Sequence, residues 1–308
     1  MNKLLLIDSN AVLYRAFYAL PETLTLKSGK PINAVYGFAQ MLLGLIEQFK
    51  PTYLICTFDL PLPTFRDKLY KDYRSQRKPT PDNLISQIKP TKKLLKTLKI
   101  PIYQQAGFEA DDVIGTLARL AYKHKLETII VTGDRDLLQL VNNHTKVYMP
   151  VRGLAQGKLF GEKEVLGKYK IHPRQMVDYK ALMGDPSDNY PGVKGIGPKS
   201  ASELITKYSS LEEIYSHLQE LSDRQKQQLE SSREDALMAK KLAQIVTDMK
   251  LKLELDQAKL SRLDTAQVKD LFDSLQFRSH WQRVKKLYQK EPEPAVIKKQ
   301  ESEQLEIL

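Results

Sequence analysis

The 308-residue chain carries one cysteine, Cys56, one tryptophan, Trp281, and five histidines. A single thiol excludes an internal disulfide and a zinc site built on cysteines. Cys56 lies in the apolar run 53–58, and a reducing, cytoplasmic compartment is its simplest home. His124, His144, His172, His217 and His280 are scattered, none at i, i+4 spacing with another. That scatter gives no support to a histidine metal centre or a Ser-His-Asp triad. Long apolar runs are missing as well. Only residues 4–7 are apolar before Asp8, too few for a signal-peptide core, and nothing approaches membrane-spanning length. The expectation is a soluble protein with no membrane partner.

What is present is positive charge and, against it, acids in particular places. Lys+Arg number 48 against 37 Asp+Glu, for a net charge of +11. Charge alone divides evenly between a polyanion binder and a generic basic protein. Hydrophobic residues at 42% and charged residues at 28% mark a globular chain, long enough for two domains.

Three apolar runs read as buried strands, and each ends in an acid. Residues 4–7 deliver Asp8, 53–58 deliver Asp59, and 128–132 deliver Gly133-Asp134. Helical patterns at 34–49, 83–98 and 111–124 alternate with them, which predicts an α/β domain with a mostly parallel sheet. One Asp at a strand end is ordinarily a cap or turn residue. Three at the C-terminal edge of one parallel sheet mark the edge where ligands bind. Further acids follow. Glu109, Asp111 and Asp112 open a helix, Asp134 and Asp136 flank one arginine, and Asp185 and Asp188 lie three apart, a spacing an Asx-turn also explains. Carboxylates so gathered repel one another unless neutralised. Two divalent cations are the usual neutraliser, and a phosphodiester is their usual substrate.

Residues 61–81 are bracketed by prolines and interleave Phe65, Arg66, Lys68, Tyr70, Lys71, Tyr73, Arg74, Arg77 and Lys78. A solvated basic helix is the bland account. Placed directly after Asp59, the stretch reads as an excursion over the sheet edge, with cations for phosphates and tyrosines for unpaired bases. From His172 onward short helices are predicted (211–221, 224–241 and 268–288), and no strand is strong after Val151. The run Gly192-Val193-Lys194-Gly195-Ile196-Gly197-Pro198-Lys199 resembles a helix-hairpin-helix turn, in which backbone N–H groups approach a phosphate closely. A nucleotide loop is the alternative, but the Walker lysine pattern is absent. Residues 289–308, with Glu-Pro-Glu-Pro, read as a linker or tail.

In order, Leu6-Ile7-Asp8, Ala106-Gly107-Phe108-Glu109-Ala110-Asp111-Asp112, Thr132-Gly133-Asp134-Arg135-Asp136 and Met183-Gly184-Asp185-Pro186-Ser187-Asp188-Asn189-Tyr190-Pro191-Gly192 resemble the 5′-nuclease domain of bacterial DNA polymerase I, of the flap-endonuclease superfamily. The resemblance covers roughly residues 2–277. It implies a PIN-like sheet domain at 1–171 with a helical arch near 61–90, and a helical DNA-binding domain at 172–288. It implies two Mg²⁺ ions, with Mn²⁺ as substitute. Asp8, Asp59, Glu109, Asp111 and Asp112 would serve the first, and Asp134, Asp136, Asp185 and Asp188 the second. Arg74 stands where the family most often has a lysine on the scissile phosphate, Arg77 matches a second basic residue, and Tyr73 is a stacking position. The turn from Gly192 through Lys194, Gly195, Ile196 and Gly197 to Lys199 would grip duplex DNA, in some relatives through a bound K⁺. The implied activity is that of a monomeric 5′-3′ exonuclease and flap endonuclease in DNA replication and repair. Its substrates would be branched or nicked DNA with a 5′ flap, or an RNA primer on DNA, with a DNA polymerase acting alongside. A chain of 308 residues cannot also hold a polymerase body, so it is a stand-alone nuclease or a fragment. The rivals are a PIN-type ribonuclease and a non-catalytic junction-binding module.

Overall fold

The computed structural model describes residues 2–152 and 156–288. The predicted tail, 289–308, lies outside the described residues. The first part of the chain runs β1 (Lys3–Asp8), α1 (Ser9–Ala19), α2 (Asn33–Phe49), β2 (Tyr53–Thr57), α3 (Phe65–Leu69), α4 (Asp82–Thr97), β3 (Ile102–Tyr103), α5 (Ala110–Lys123), β4 (Glu127–Val131), β5 (Thr145–Arg152), β6 (Gln156–Phe160) and α6 (Glu162–Tyr169). Among the described residues these strands make one sheet in the order β3-β2-β1-β4-β5-β6, parallel throughout except for the β5–β6 hairpin. Strands this apolar are covered on both faces, and their side chains alternate between two cores. Leu4, Leu6, Ile55 and Ile130 face α5 and the helices that follow it. Leu5, Ile7, Leu54, Cys56 and Ile129 face α1, α2 and α4.

The rest is helical: α7 (Met176–Met183), then the two-residue pair β7 (Gly184–Asp185) and β8 (Tyr190–Pro191), then α8 (Pro198–Tyr208), α9 (Leu211–Ser216), α10 (Asp223–Ser231), α11 (Arg233–Ala243), α12 (Leu255–Ala258), α13 (Ala266–Ser274) and α14 (Arg278–Tyr288). The expected helices at 224–241 and 268–288 are each two. They break at Ser232 and at Gln276, whose φ of 61° no helix can hold. The sequence has no strong strand run after Val151, yet β6 is a strand all the same. Its sequence Gln-Gly-Lys-Leu-Phe shows no buried run because the strand is an edge of the sheet, paired among the described residues with its hairpin partner and buried at Phe160.

After α11 the chain becomes an extended strap. Ile245 and Thr247 lie against Gly115 of α5, and Leu260 N–H donates to the Thr52 carbonyl beneath the sheet, at 2.9 Å. Beyond the strap, α13 and α14 return to the α2 face. Phe272, Phe277 and Val284 are buried there, with Trp281 packed against the same core. The reading of 172–288 as one helical unit therefore meets a chain whose last two helices sit on the first domain's core.

Candidate active site

Strand ends and helix starts converge at the C-terminal edge of the sheet. Asp8 ends β1 and caps α1, accepting the Ala11 N–H at 3.1 Å and the Thr132 hydroxyl at 2.8 Å. The same hydroxyl accepts the Asp134 N–H at 3.0 Å, which ties the ends of β1 and β4 together. Asp59, after β2, accepts the Ala110 N–H at 2.8 Å and so meets the start of α5. Glu109 caps α5, and Asp111 and Asp112 lie in its first turn. Asp8, Asp59, Glu109, Asp111 and Asp134 thus line one cleft of about 630 Å³, which Arg74, Arg77 and Lys78 also line.

Charge repulsion is stored in this cleft. Burial pushes the Asp8 carboxyl up to about 6, with Asp59 and Asp134 adding to the rise against its own hydrogen bonds. Asp111 is raised well above the carboxylate range, first by burial and then by Asp134, Asp8, Glu109 and Asp59. Burial also raises Glu109, a rise that Arg74 and Arg66 limit. Arg74 Nη1 meets Glu109 Oε1 at 2.8 Å.

The nine predicted carboxylates divide into three groups. Five line the cleft. Three others sit beside it, paired with cations. Lys180 bridges Asp136 and Asp185, while Asp188 takes Arg74, Arg77 and the Tyr73 hydroxyl. Burial and Asp134 push Asp136 up to about 7 even with Lys180 beside it. Burial alone would raise Asp185 and Asp188, but Lys180 and Ser187 hold the first below its ordinary value, and Arg74 and Arg77 the second.

The ninth, Asp112, requires a correction. It is wholly buried, and both its oxygens are filled. Arg66 donates at 2.7 and 3.0 Å, the Val246 N–H at 2.9 Å and the Glu109 N–H at 3.1 Å. A carboxylate accepting four hydrogen bonds has nothing left for a cation, so Asp112 is structural. Arg66 is corrected with it: at 3% exposure it cannot reach DNA. Tyr73 is also buried, at 6%, its ring near that of Tyr190, and presents no face to a base. Tyr70 is half-buried and Lys71 exposed.

The excursion does not stand clear of the sheet. After the short α3 it folds down through turns onto the 185–190 segment. Arg74 N–H donates to the Asp188 carbonyl at 2.9 Å, and Asn189 Nδ2 to the Asp72 carbonyl at 2.8 Å. Unneutralised acids on one side and arginines on the other explain the docking. In the hairpin, Lys194, Gly195, Gly197 and Lys199 are exposed and Gly192 half-buried. Val193 and Ile196 are core side chains. Their N–H groups donate to the Leu182 and Val193 carbonyls, so these two anchor the turn and cannot donate to a phosphate.

The sequence reading did not single out Tyr14 and Tyr18, which line the cleft from α1. Their i, i+4 spacing directly after Asp8 was the available signal. It also passed over Lys180, five residues before Asp185.

The donor set fits hard divalent cations. Every candidate ligand in the cleft is a carboxylate oxygen, and the burial and mutual repulsion that raise Asp8 and Asp111 are what a bound cation would offset. Among the described residues no group of three acids or histidines is already drawn tightly enough to hold an ion. The ion would itself have to draw them in.

Comparisons with known proteins agree with this arrangement. Residues 3–170 match the family described as 5′-3′ exonuclease, N-terminal resolvase-like domain, and residues 171–266 match 5′-3′ exonuclease, C-terminal SAM fold. DNA polymerase I of Caldicellulosiruptor bescii is 40% identical over 92% of this chain and 33% of its own length. That of Bacillus subtilis is 38% identical over 92% and 33%. The chain spans about a third of the length of these curated relatives. Among solved structures, the T5 D15 protein co-crystallised with metal ions superposes with a TM-score of 0.66 at 18% identity, covering 93% of this chain and 98% of that one. The catalytic core of Rad2 in complex with DNA substrate gives 0.59 at 17%, covering 94% and 93%. The shared fold is thus a mostly parallel, PIN-like sheet with a helical C-terminal part, and the chain belongs to the 5′-3′ exonuclease family.

Proposed function

We propose that this chain is a structure-specific 5′-3′ exonuclease and 5′-flap endonuclease that hydrolyses DNA phosphodiesters with two divalent cations, Mg²⁺ or Mn²⁺. One observation carries the reading. Five carboxylates from strand and helix ends line one cleft together with Arg74, Arg77 and Lys78. Bound there, the cations would supply a nucleophilic water near neutral pH and neutralise charge on the phosphate. Asp8, Asp59, Glu109, Asp111 and Asp134 would hold them, with Asp136, Asp185 and Asp188 reached by displacing Lys180 and the arginines. Arg74 and Arg77 orient the phosphate. They now pair with Glu109 and Asp188, and an entering phosphate exchanges those partners for a charge-assisted, bidentate one. The products are a 5′-phosphate and a 3′-hydroxyl.

Recognition rests on shape. Backbone groups and Lys194 and Lys199 of the hairpin, with K⁺ at the turn, grip the duplex without reading bases. The unpaired 5′ strand enters under residues 74–81. The substrates in replication and repair are flapped or nicked DNA and an RNA primer on DNA, with a DNA polymerase as the natural partner.

The test is cleavage of a 5′-end-labelled flap duplex with Mg²⁺ or with EDTA, beside single-stranded RNA. Cutting near the junction is expected, lost in EDTA and absent on RNA. Arg77→Ala should slow it about 100-fold, the effect of removing one transition-state donor. Binding without cutting in either metal would sink the reading in favour of a junction-binding module.

A further inference from the structure

Arg66 and Asp112 join three parts of the molecule that sequence keeps far apart. Arg66 belongs to α3, in the excursion. Asp112 belongs to α5, three residues after Glu109. Arg66 Nε donates to the Leu242 carbonyl at 2.8 Å and Nη2 to the Gln244 carbonyl at 2.9 Å, at the point where α11 gives way to the strap. The strap answers with the Val246 N–H on Asp112 Oδ1 at 2.9 Å. Glu109 sits within this arrangement. Its N–H donates to Asp112 Oδ2 at 3.1 Å, and its Oε2 lies 3.6 Å from Arg66 Nη1. Phe65 N–H also donates to the Gly107 carbonyl at 3.0 Å, beside the guanidinium stacked on the Phe65 ring. The planar, multiply bonded guanidinium has one geometry that meets all these partners, and a lysine could not reproduce it.

We infer that Arg66 and Asp112 are positioning residues: a buried clasp through which the strap, arriving from the hairpin-bearing helices, sets the attitude of Glu109 and of the excursion. Duplex held by the hairpin is thereby registered against the acidic cleft through a rigid connection. The inference rests on the nuclease reading for its purpose, but the clasp itself can be tested without catalysis.

The test uses the full chain with Arg66→Gln, Asp112→Asn and the double variant. Thermal melting is followed without metal or DNA, Mn²⁺ binding by calorimetry, flap-DNA affinity with its salt dependence, and the single-turnover cleavage rate. Each single variant leaves a buried charge unpaired and should lower the melting temperature by about 6 °C or more. The double variant removes both charges and should recover at least about half of that loss, the coupling expected of residues acting as a pair. Arg66→Gln should weaken Mn²⁺ binding at least about threefold and slow single-turnover cleavage at least about tenfold, because Glu109 loses its place. Flap affinity should stay within about threefold of wild type. Three results would overturn the inference. Tighter Mn²⁺ binding by Arg66→Gln would make Asp112 a metal ligand restrained by the arginine. Weaker flap binding with a salt slope shallower by about one would make Arg66 a phosphate contact. A double variant no more stable than the worse single would deny the pairing. Should a single variant fail to fold, the double variant, which buries no unpaired charge, carries the comparison. Should the wild-type chain cleave nothing, melting and Mn²⁺ binding still decide the clasp while the nuclease reading falls separately.

Discussion

Asp111→Asn should raise the melting temperature of the metal-free protein and at the same time cut cleavage by about 1,000-fold or more. The two effects have one cause. Burial raises Asp111 well above the carboxylate range, and repulsion from Asp134, Asp8, Glu109 and Asp59 adds to it. For a carboxyl whose folded pKa is raised, the favourable contribution to stability is complete below its unfolded value. It is lost as pH rises through the folded value. Burial, with neighbouring acids, pushes Asp8 up to about 6 and Asp136 up to about 7, against 3.8 unperturbed. The metal-free wild type should therefore lose stability between about pH 4 and 7. The variant should lose less, so its advantage should widen with pH and reach at least about 2 °C near neutrality. Mg²⁺ should stabilise the wild type more than the variant. Melting curves across this pH range, with and without Mg²⁺, are the measurement. Identical metal-free curves for the two proteins would mean the acids are not in conflict.

Gly192→Ala should dislodge the hairpin. An added Cβ would lie 2.2 Å from the Gly184 nitrogen and 2.4 Å from the Met183 carbonyl carbon. Both are backbone atoms with no rotamer to yield. Gly184, at φ +69°, cannot turn aside without leaving the left-handed conformation that lets β7 and β8 close. The expected cost is about 3 kcal/mol, the upper end for overpacking, or roughly 6–10 °C in melting temperature. Because β7 carries Asp185 and β8 leads into the turn, flap-DNA affinity should fall with stability. A variant that melts like wild type and binds flap DNA normally would contradict the close packing.

Three strands of the sheet were legible in sequence, since residues 4–7, 53–58 and 128–132 each announced both a strand and its terminal acid, but β5, whose Val147 and Tyr148 face the two cores, was not singled out. Where pairing rather than burial makes the strand, the sequence is silent. β3 is two residues long, and β6 buries only Phe160. The helix breaks at Ser232 and across 275–277 are short interruptions inside otherwise helical composition. The site was legible as a set of acids but not as their division. Nothing near Asp112 in sequence indicates that a carboxylate would be consumed by Arg66, 46 residues earlier, and by Val246, 134 residues later. The arginines and the docked excursion were hidden for a related reason: cations and acids far apart in sequence choose their partners only after the fold brings them together.

The return of α13 and α14 has a practical meaning for where this nuclease can be cut. The family match ends at residue 266, one residue into α13. A chain shortened there would keep all nine candidate site carboxylates and the whole hairpin. It would nevertheless strip Phe272, Phe277 and Val284 from the core they share with Phe38 and Leu42, laying an apolar patch of α2 open to water. A piece that keeps this face of α2 covered therefore reaches to Tyr288, past the boundary drawn by sequence families.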